Sequence, residues 1–161
     1  MNRIWKPNVT VASIVQRDGK FLLVEEQTTD GLRINQPAGH LEPGETPQQG
    51  AVREALEETA YQIRLTAFLG VYMSRYRSTR SGEDVTYLRL AFAGEVAGHE
   101  PERALDAGIV RALWLTPDEI QASQAQHRSP LVWQCVQDAL AGRRLPLEAV
   151  FAHASVLNGV G

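Results

Sequence analysis

Glu54, Glu57 and Glu58 occur together in the segment PQQGAVREALEET, at a spacing that allows shared chemistry. On a helix turning by about 100° per residue, Glu57 lies at about 300° and Glu58 at about 40° from Glu54, so the three share one face. Val52, Ala55, Leu56 and Thr59 fall roughly opposite, at about 100° to 200°. Like charges three and four residues apart repel by about a few tenths of a kcal/mol per pair, which a solvated helix tolerates. An exposed acidic face is therefore one reading. The other is a site for a hard dication such as Mg²⁺ or Mn²⁺, which prefers carboxylate oxygens and keeps several waters. The stretch just before, PAGHLEPGETP, is rich in Gly and Pro and could bring backbone groups close to such a metal. A diphosphate is the natural ligand for a cation held this way.

These groups need a scaffold. Thr46 is a good helix N-cap, Pro47 fits the first helical position, and Gln49 completes a capping box, so a helix is predicted over residues 47–59. VTVASIV, residues 9–15, reads as a buried strand, and Asp18-Gly19 turns the chain into a hairpin partner over 20–25. A short extended piece follows over 32–36, and residues 37–47 read as a surface loop. Residues 63–77 are extended with an irregularity near Gly70. A polar turn covers 75–82, and 85–96 forms a long strand with a central pattern. Residues 109–115 form another strand. Thr116-Pro117 and Ser129-Pro130 open two further helices, the second ending near Gly142. The tail from 143 reads as extended. The order describes an α/β (α+β) chain without a regular βαβ series.

The chain has 161 residues, 43% of them hydrophobic, with 16 Lys and Arg against 19 Asp and Glu and a net charge of −3. This length predicts one domain spanning residues 1–161, with a core over about 8–142 and a C-terminal extension over 143–161. The mild negative charge argues against nucleic acid as a partner, because that binding relies on a basic field. A small anionic substrate is compatible with it. Fourteen of the basic residues are Arg, which pairs bidentately with phosphate. Cys135 is the lone cysteine and reads as a buried bystander on a helix face. No apolar run approaches the length of a membrane span, and MNRIWKPNVT lacks the apolar stretch of a signal peptide. The expectation is a cytoplasmic protein with no membrane partner.

Residues 39–61 resemble the Nudix box, the signature of a family of hydrolases. Gly39 is followed by five residues, Glu45, seven residues, then Arg53-Glu54-Ala55-Leu56-Glu57-Glu58-Thr59-Ala60-Tyr61, all in register. The resemblance implies the Nudix fold, a mixed β-sheet packed between helices. It implies that Glu54, Glu57 and Glu58 bind divalent metal, Mg²⁺ or Mn²⁺, with one of them or a more distal acid as general base. Arg53 resembles the arginine that orients the acids, and Glu45 the loop glutamate that supports them. A carbonyl near Ala38 or Gly39 would complete the coordination. The phrases NQPAGHLEPGET and HRSPLVWQ are similar to a subgroup of small bacterial phosphatases, the NudJ type. Those enzymes release phosphate from nucleoside di- and triphosphates and from a pyrophosphorylated thiamine precursor. An alternative within the family is a pyrophosphohydrolase acting on a nucleotide sugar or dinucleotide. A non-catalytic nucleotide-binding domain is a third reading, opposed by the complete set of box carboxylates.

Two positions depart from the family pattern. Ala60 stands where glycine is usual, which predicts a strained helix end. Ile34 stands where relatives often carry an aromatic, so a base would have to be recognised otherwise. Candidate substrate contacts are Arg33, Asn35, His40 and Arg128, each alternatively an exposed polar or capping residue. Tyr72, Arg75 and Arg77 form a basic and aromatic patch that reads either as a phosphate clamp or as a solvated hairpin. Glu83, Asp84 and Glu119 are candidates for a distal base.

Overall fold

The computed structural model describes residues 2–157. Strands β1 (Asn8–Arg17) and β2 (Lys20–Thr28) meet at Asp18-Gly19, both with positive φ, 52° and 75°. That geometry suits a tight two-residue hairpin turn. The two strands pair only at the tip, Gln16 with Phe21 and Arg17 with Lys20, and then diverge. β2 continues against β3 (Gly31–Asn35) and β7 (Ile109–Leu115), antiparallel to both. β1 runs parallel to β6 (Asp84–His99), which pairs antiparallel with β5 (Tyr61–Arg77). The main order is β3-β2-β1-β6-β5, and the parallel pair makes the sheet mixed.

The side chains of β1 alternate between two buried faces. Val11 and Val15 pack towards helix α1 (Pro47–Thr59), against Ala51 and Ala55 respectively, and the Ser13 hydroxyl donates to Ala51 O at 3.2 Å. Ala12 and Ile14 pack on the other face, in a cluster with Leu131, Cys135, Val136 and Ala139 of helix α3 (Leu131–Leu140). The sheet is thus held between α1 and α3, as the Nudix fold requires. Ala51 and Ala55 are fully buried, and their small side chains let α1 lie close to the strand. Short helix α2 (Pro117–Ala122) carries the Thr116/Glu119 capping box, and α1 carries the Thr46/Gln49 box.

Two sequence expectations change here. The Gly-Pro stretch is not all loop: Ala38–His40 form a short strand, β4, pairing Thr10 with His40 and Ala12 with Ala38. Three residues without a β-branched side chain give no strand signal, yet the open edge of β1 recruits their backbone. The tail is not extended throughout either: Leu147–Ala149 and Ala154–Val156 form short 3₁₀ turns. Leu145 exchanges backbone hydrogen bonds with Phe68 at 2.9 and 2.8 Å. The Gln48 amide donates to Leu147 O and Val150 O, at 3.2 and 3.0 Å, which ties this segment to the start of α1. The last part of the expected extension, 158–161, lies outside the described residues. Irregularities of β5 fall at Gln62/Ile63, Leu65/Ala67 and Phe68/Gly70, the last where the sequence suggests one.

Ala60 ends α1 in the left-handed region, φ 62° and ψ 11°, and its N–H donates to Leu56 O at 2.9 Å. A Cβ in that region costs about 1–2 kcal/mol. Ala60→Gly is therefore expected to stabilise the protein by about 1 kcal/mol and to raise Tm by about 2–4 °C, read by thermal unfolding.

Candidate active site

Arg53 organises the acidic groups. Its Nε and Nη2 donate to the two oxygens of Glu45, both at 2.8 Å. Its Nη1 donates to Glu54 Oε1 at 2.8 Å and to Glu57 Oε2 at 3.1 Å, and Nη2 also reaches His40 O at 3.1 Å. Arg53 holds the Glu45 carboxyl below its usual range, and Glu45 in turn keeps the guanidinium firmly charged. Glu45 Oε1 also accepts from Glu42 N, which fixes the loop entering α1.

Glu54 and Glu58 are buried, 8% and 7% exposed, whereas Glu57 on the same acidic face of α1 is partly exposed. They face β4. Ala38 N donates to Glu58 Oε1 at 2.8 Å, and the carboxylate of Glu54 fills the space where a side chain on Gly39 would stand. Burial pushes the Glu54 carboxyl up despite Arg53. It pushes Glu58 up to about 8, with Glu54, Glu26 and Asp106 adding to the effect and the Ala38 N–H opposing it.

Glu54, Glu57 and Asp106 each present a carboxylate oxygen, all within 4.8 Å of one another. This is a hard, anionic donor set of the type Mg²⁺ and Mn²⁺ take. Asp106 is absent from the sequence-based candidates. It lies in the loop between β6 and β7 and is delivered by its own backbone, whose N–H donates to Glu57 O at 3.0 Å. Glu58, expected beside Glu54 and Glu57, is not in this mutually close set, because its carboxyl turns to Ala38. The candidate distal acids lie elsewhere. Asp84 pairs with Arg77 and Arg75 at the hairpin end, at 3.6 and 3.9 Å, beside Glu83, and Glu119 caps α2.

A cleft opens on the other side of β4, sharing Ala38, Gly39 and His40 as its wall. Asn35, Arg128, Tyr76, Tyr87 and Arg89 also line it. Asn35, His40 and Arg128 therefore stand where the sequence suggests substrate contacts. Arg128 is set by its backbone N–H, which donates to Ile34 O at 2.8 Å, and it pairs with Glu26 at 3.6 Å. The rings of Tyr76 and Tyr87 are nearly parallel, 12° apart with centroids 6.0 Å apart.

Four proposed substrate contacts fall outside the cleft lining. Tyr72 is in the core, its hydroxyl donating to Asp138 Oδ2 at 2.6 Å. Arg75 and Arg77 are exposed and engaged by Asp84. Arg33 folds back on Leu32 O at 2.8 Å. Tyr72 and Tyr76 share one face of β5, but Tyr72 lies in the core, and Tyr76, four residues further along, reaches the cleft. Arg89, Tyr87 and Glu26 are cleft residues that sequence reasoning does not single out. Ile34 is buried in the core and does not line the cleft.

Residues 5–134 match the NUDIX domain model. The chain is similar to the phosphatase NudJ of Escherichia coli (strain K12), 38% identical over 148 residues, 91% of this chain and 92% of that one. It is also similar to a solved NUDIX hydrolase from Nitrosomonas europaea, 48% identical with a TM-score of 0.84, covering 92% of this chain and 98% of that one. A MutT NUDIX hydrolase structure from Burkholderia pseudomallei, 18% identical with a TM-score of 0.62 over 83% of this chain and 98% of that one, shares the fold.

Two outcomes test this geometry. Gly39→Ala drives a methyl group into the Glu54 carboxylate and is expected to lower turnover by about 10²-fold with the fold retained, read by kinetics and circular dichroism. The raised Glu58 carboxyl stabilises the fold below its unfolded value of 4.5, and that contribution is lost as pH rises through about 8. In chelator, the parent is therefore expected to lose Tm relative to Glu58→Gln between pH 5 and 8.5, while added Mg²⁺ stabilises the parent more at pH 8 than at pH 5.5.

With box, fold, acidic cluster and close relatives in agreement, the chain belongs to the Nudix family and is a hydrolase of phosphoanhydride bonds with a candidate acidic cluster for a divalent metal.

Proposed function

We propose that this protein is an Mg²⁺-dependent phosphatase, with Mn²⁺ as a substitute, that releases the terminal phosphate of nucleoside tri- and diphosphates. A pyrophosphorylated thiamine precursor is a second substrate of the same chemistry. The observation that carries the reading is the Glu54, Glu57 and Asp106 cluster set beside a cleft with an aromatic wall and basic side chains. The 38% identity to the NudJ phosphatase over most of both chains supports terminal-phosphate release. The lone thiol, Cys135, is buried and unpaired, which suits a reducing cytoplasm.

Glu54, Glu57 and Asp106 would hold the dication, which when bound screens the phosphate charge and lowers the pKa of water. Arg53 keeps Glu54 and Glu57 oriented for that task, and Glu45 keeps Arg53 in place. Glu58 has only one oxygen engaged, by Ala38 N, and is free of Arg53. With a dication bound nearby to favour its ionised form, its carboxylate would take a proton from the attacking water. Asn35, His40 and Arg128 contact the substrate from the cleft, with Tyr76 and Tyr87 beside the organic part.

Incubation with ATP or GTP and Mg²⁺, followed by separation of phosphate from pyrophosphate, is expected to give phosphate and the nucleoside diphosphate. Pyrophosphate as sole product overturns terminal release and leaves the family intact. Glu58→Gln is expected to lower kcat by about 10²-fold or more with KM little changed. Asp106→Asn is expected to raise the Mg²⁺ concentration needed for half-maximal rate.

A further inference from the structure

Arg89 is the only buried cation among the described residues, 5% exposed, on the wall of the cleft. Its Nη1 donates to Gln36 Oε1 at 2.7 Å and its Nη2 to Asn35 Oδ1 at 2.8 Å, with Cys135 Sγ 3.9 Å away. Each of these partners is neutral. No Asp or Glu oxygen lies within 4.0 Å of its nitrogens among the described residues. Arg53 and Arg128, the other arginines nearby, both have carboxylate partners.

The arrangement is built. Gln36 is 1% exposed, and its Nε2 donates to Val132 O at 2.8 Å, so its Oε1 is the atom left to face Arg89. The side chain is aimed by two amide oxygens that orient the charge without cancelling it. Burying a charge with no counter-charge costs folding free energy, and a carboxylate at either amide position would have removed that cost. A guanidinium with no carboxylate partner, held on the wall of a cleft with N–H donors to spare, suits a phosphate.

We propose that Arg89 is a specificity-determining residue of the cleft, binding a phosphate oxygen of the substrate while Asn35 and Gln36 position its guanidinium. Its ligand is an organic phosphate whose flat ring lies along the Tyr76 and Tyr87 wall. The identity of that ligand rests on the phosphohydrolase reading above, whereas the role of Arg89 as an anion receptor is tested without turnover.

Titration calorimetry in EDTA with ADP, and with adenosine as the uncharged control, reads it directly. Arg89→Met is expected to bind ADP at least about tenfold more weakly than the parent, the scale of one charge-assisted hydrogen bond. Adenosine affinity should stay within about twofold, and Tm should equal or exceed the parent's because the unpaired charge is gone. Parent-like ADP affinity in Arg89→Met overturns the proposal, as does a parent that binds ADP no better than adenosine. A loss of Tm with ADP affinity retained marks Arg89 as structural and also overturns it.

Should Arg89→Met fail to fold, Asn35→Asp sets a carboxylate against the guanidinium. That variant is expected to gain Tm and to lose ADP affinity about tenfold, and parent-like affinity there again overturns the proposal. Steady-state kinetics separate the two readings. Phosphatase activity with an unchanged KM in Arg89→Met sinks the role of Arg89 and spares the proposed function. Arg89-dependent ADP binding by a parent that hydrolyses no nucleoside phosphate does the reverse.

Discussion

The contact of Arg53 with three glutamates is the interaction on which the rest of the site depends. Glu54 and Glu57 sit on one face of α1 and Glu45 in the loop before it, and one guanidinium donates to all three. Without it the carboxylates would repel and turn towards water. With it, the acidic groups are fixed before any cation arrives. The same guanidinium holds His40 O, so the loop and the helix are locked to one another as well. The Thr46/Gln49 capping box sets where α1 begins, and thereby the rotation that aims Glu54 and Glu58 at β4.

β4 then works as a partition with chemistry on both sides. Its Ala38 N–H and the open space at Gly39 receive Glu58 and Glu54, while the same three residues form a wall of the cleft. Anionic donors therefore lie behind the strand, while Arg89, two strands along the same sheet and level with His40 through Thr10, lines the cleft. A short strand serves this better than a loop, because pairing with β1 fixes its backbone to the core of the sheet. A substrate carrying two phosphates meets opposite demands at its two ends. One end needs its charge neutralised through a cation held by acids, and the other can be met by an arginine directly.

What the sequence makes legible follows the range of the interactions involved. The bounds of α1 and its N-cap come from neighbours within a few residues, so local chemistry reveals them, whereas the strain at Ala60 is suggested only by the resemblance, which puts glycine there. The glutamate register is legible for the same reason. Asp106 is not, since its distance in sequence from Glu57 is closed by one backbone hydrogen bond across loops that carry no spacing rule. Arg89 hides in a strand where alternating polar residues normally mean an exposed face. Tyr72 misleads because β5 has apolar residues on both faces: Val71 and Met73 are exposed while Tyr72 is buried, so periodicity alone does not tell inside from outside. β4 is invisible because its pairing is imposed by β1.

The distribution of unfavourable features carries the last step. The buried charged residues among the described ones are Glu54, Glu58 and Arg89. All three border β4 or the cleft it lines, and Ala60, with its strained backbone, ends the helix that carries two of them. Elsewhere the buried residues are apolar or neutral, and β1 is buried on both faces, which provides stability that offsets these costs. Each charge is of the sign that a bound dication or phosphate would neutralise. Ligands that bind only the folded state stabilise it in proportion to their concentration over Kd. A dication at the Glu54 cluster or a phosphate at Arg89 would therefore raise the stability of the fold as well as occupy the site.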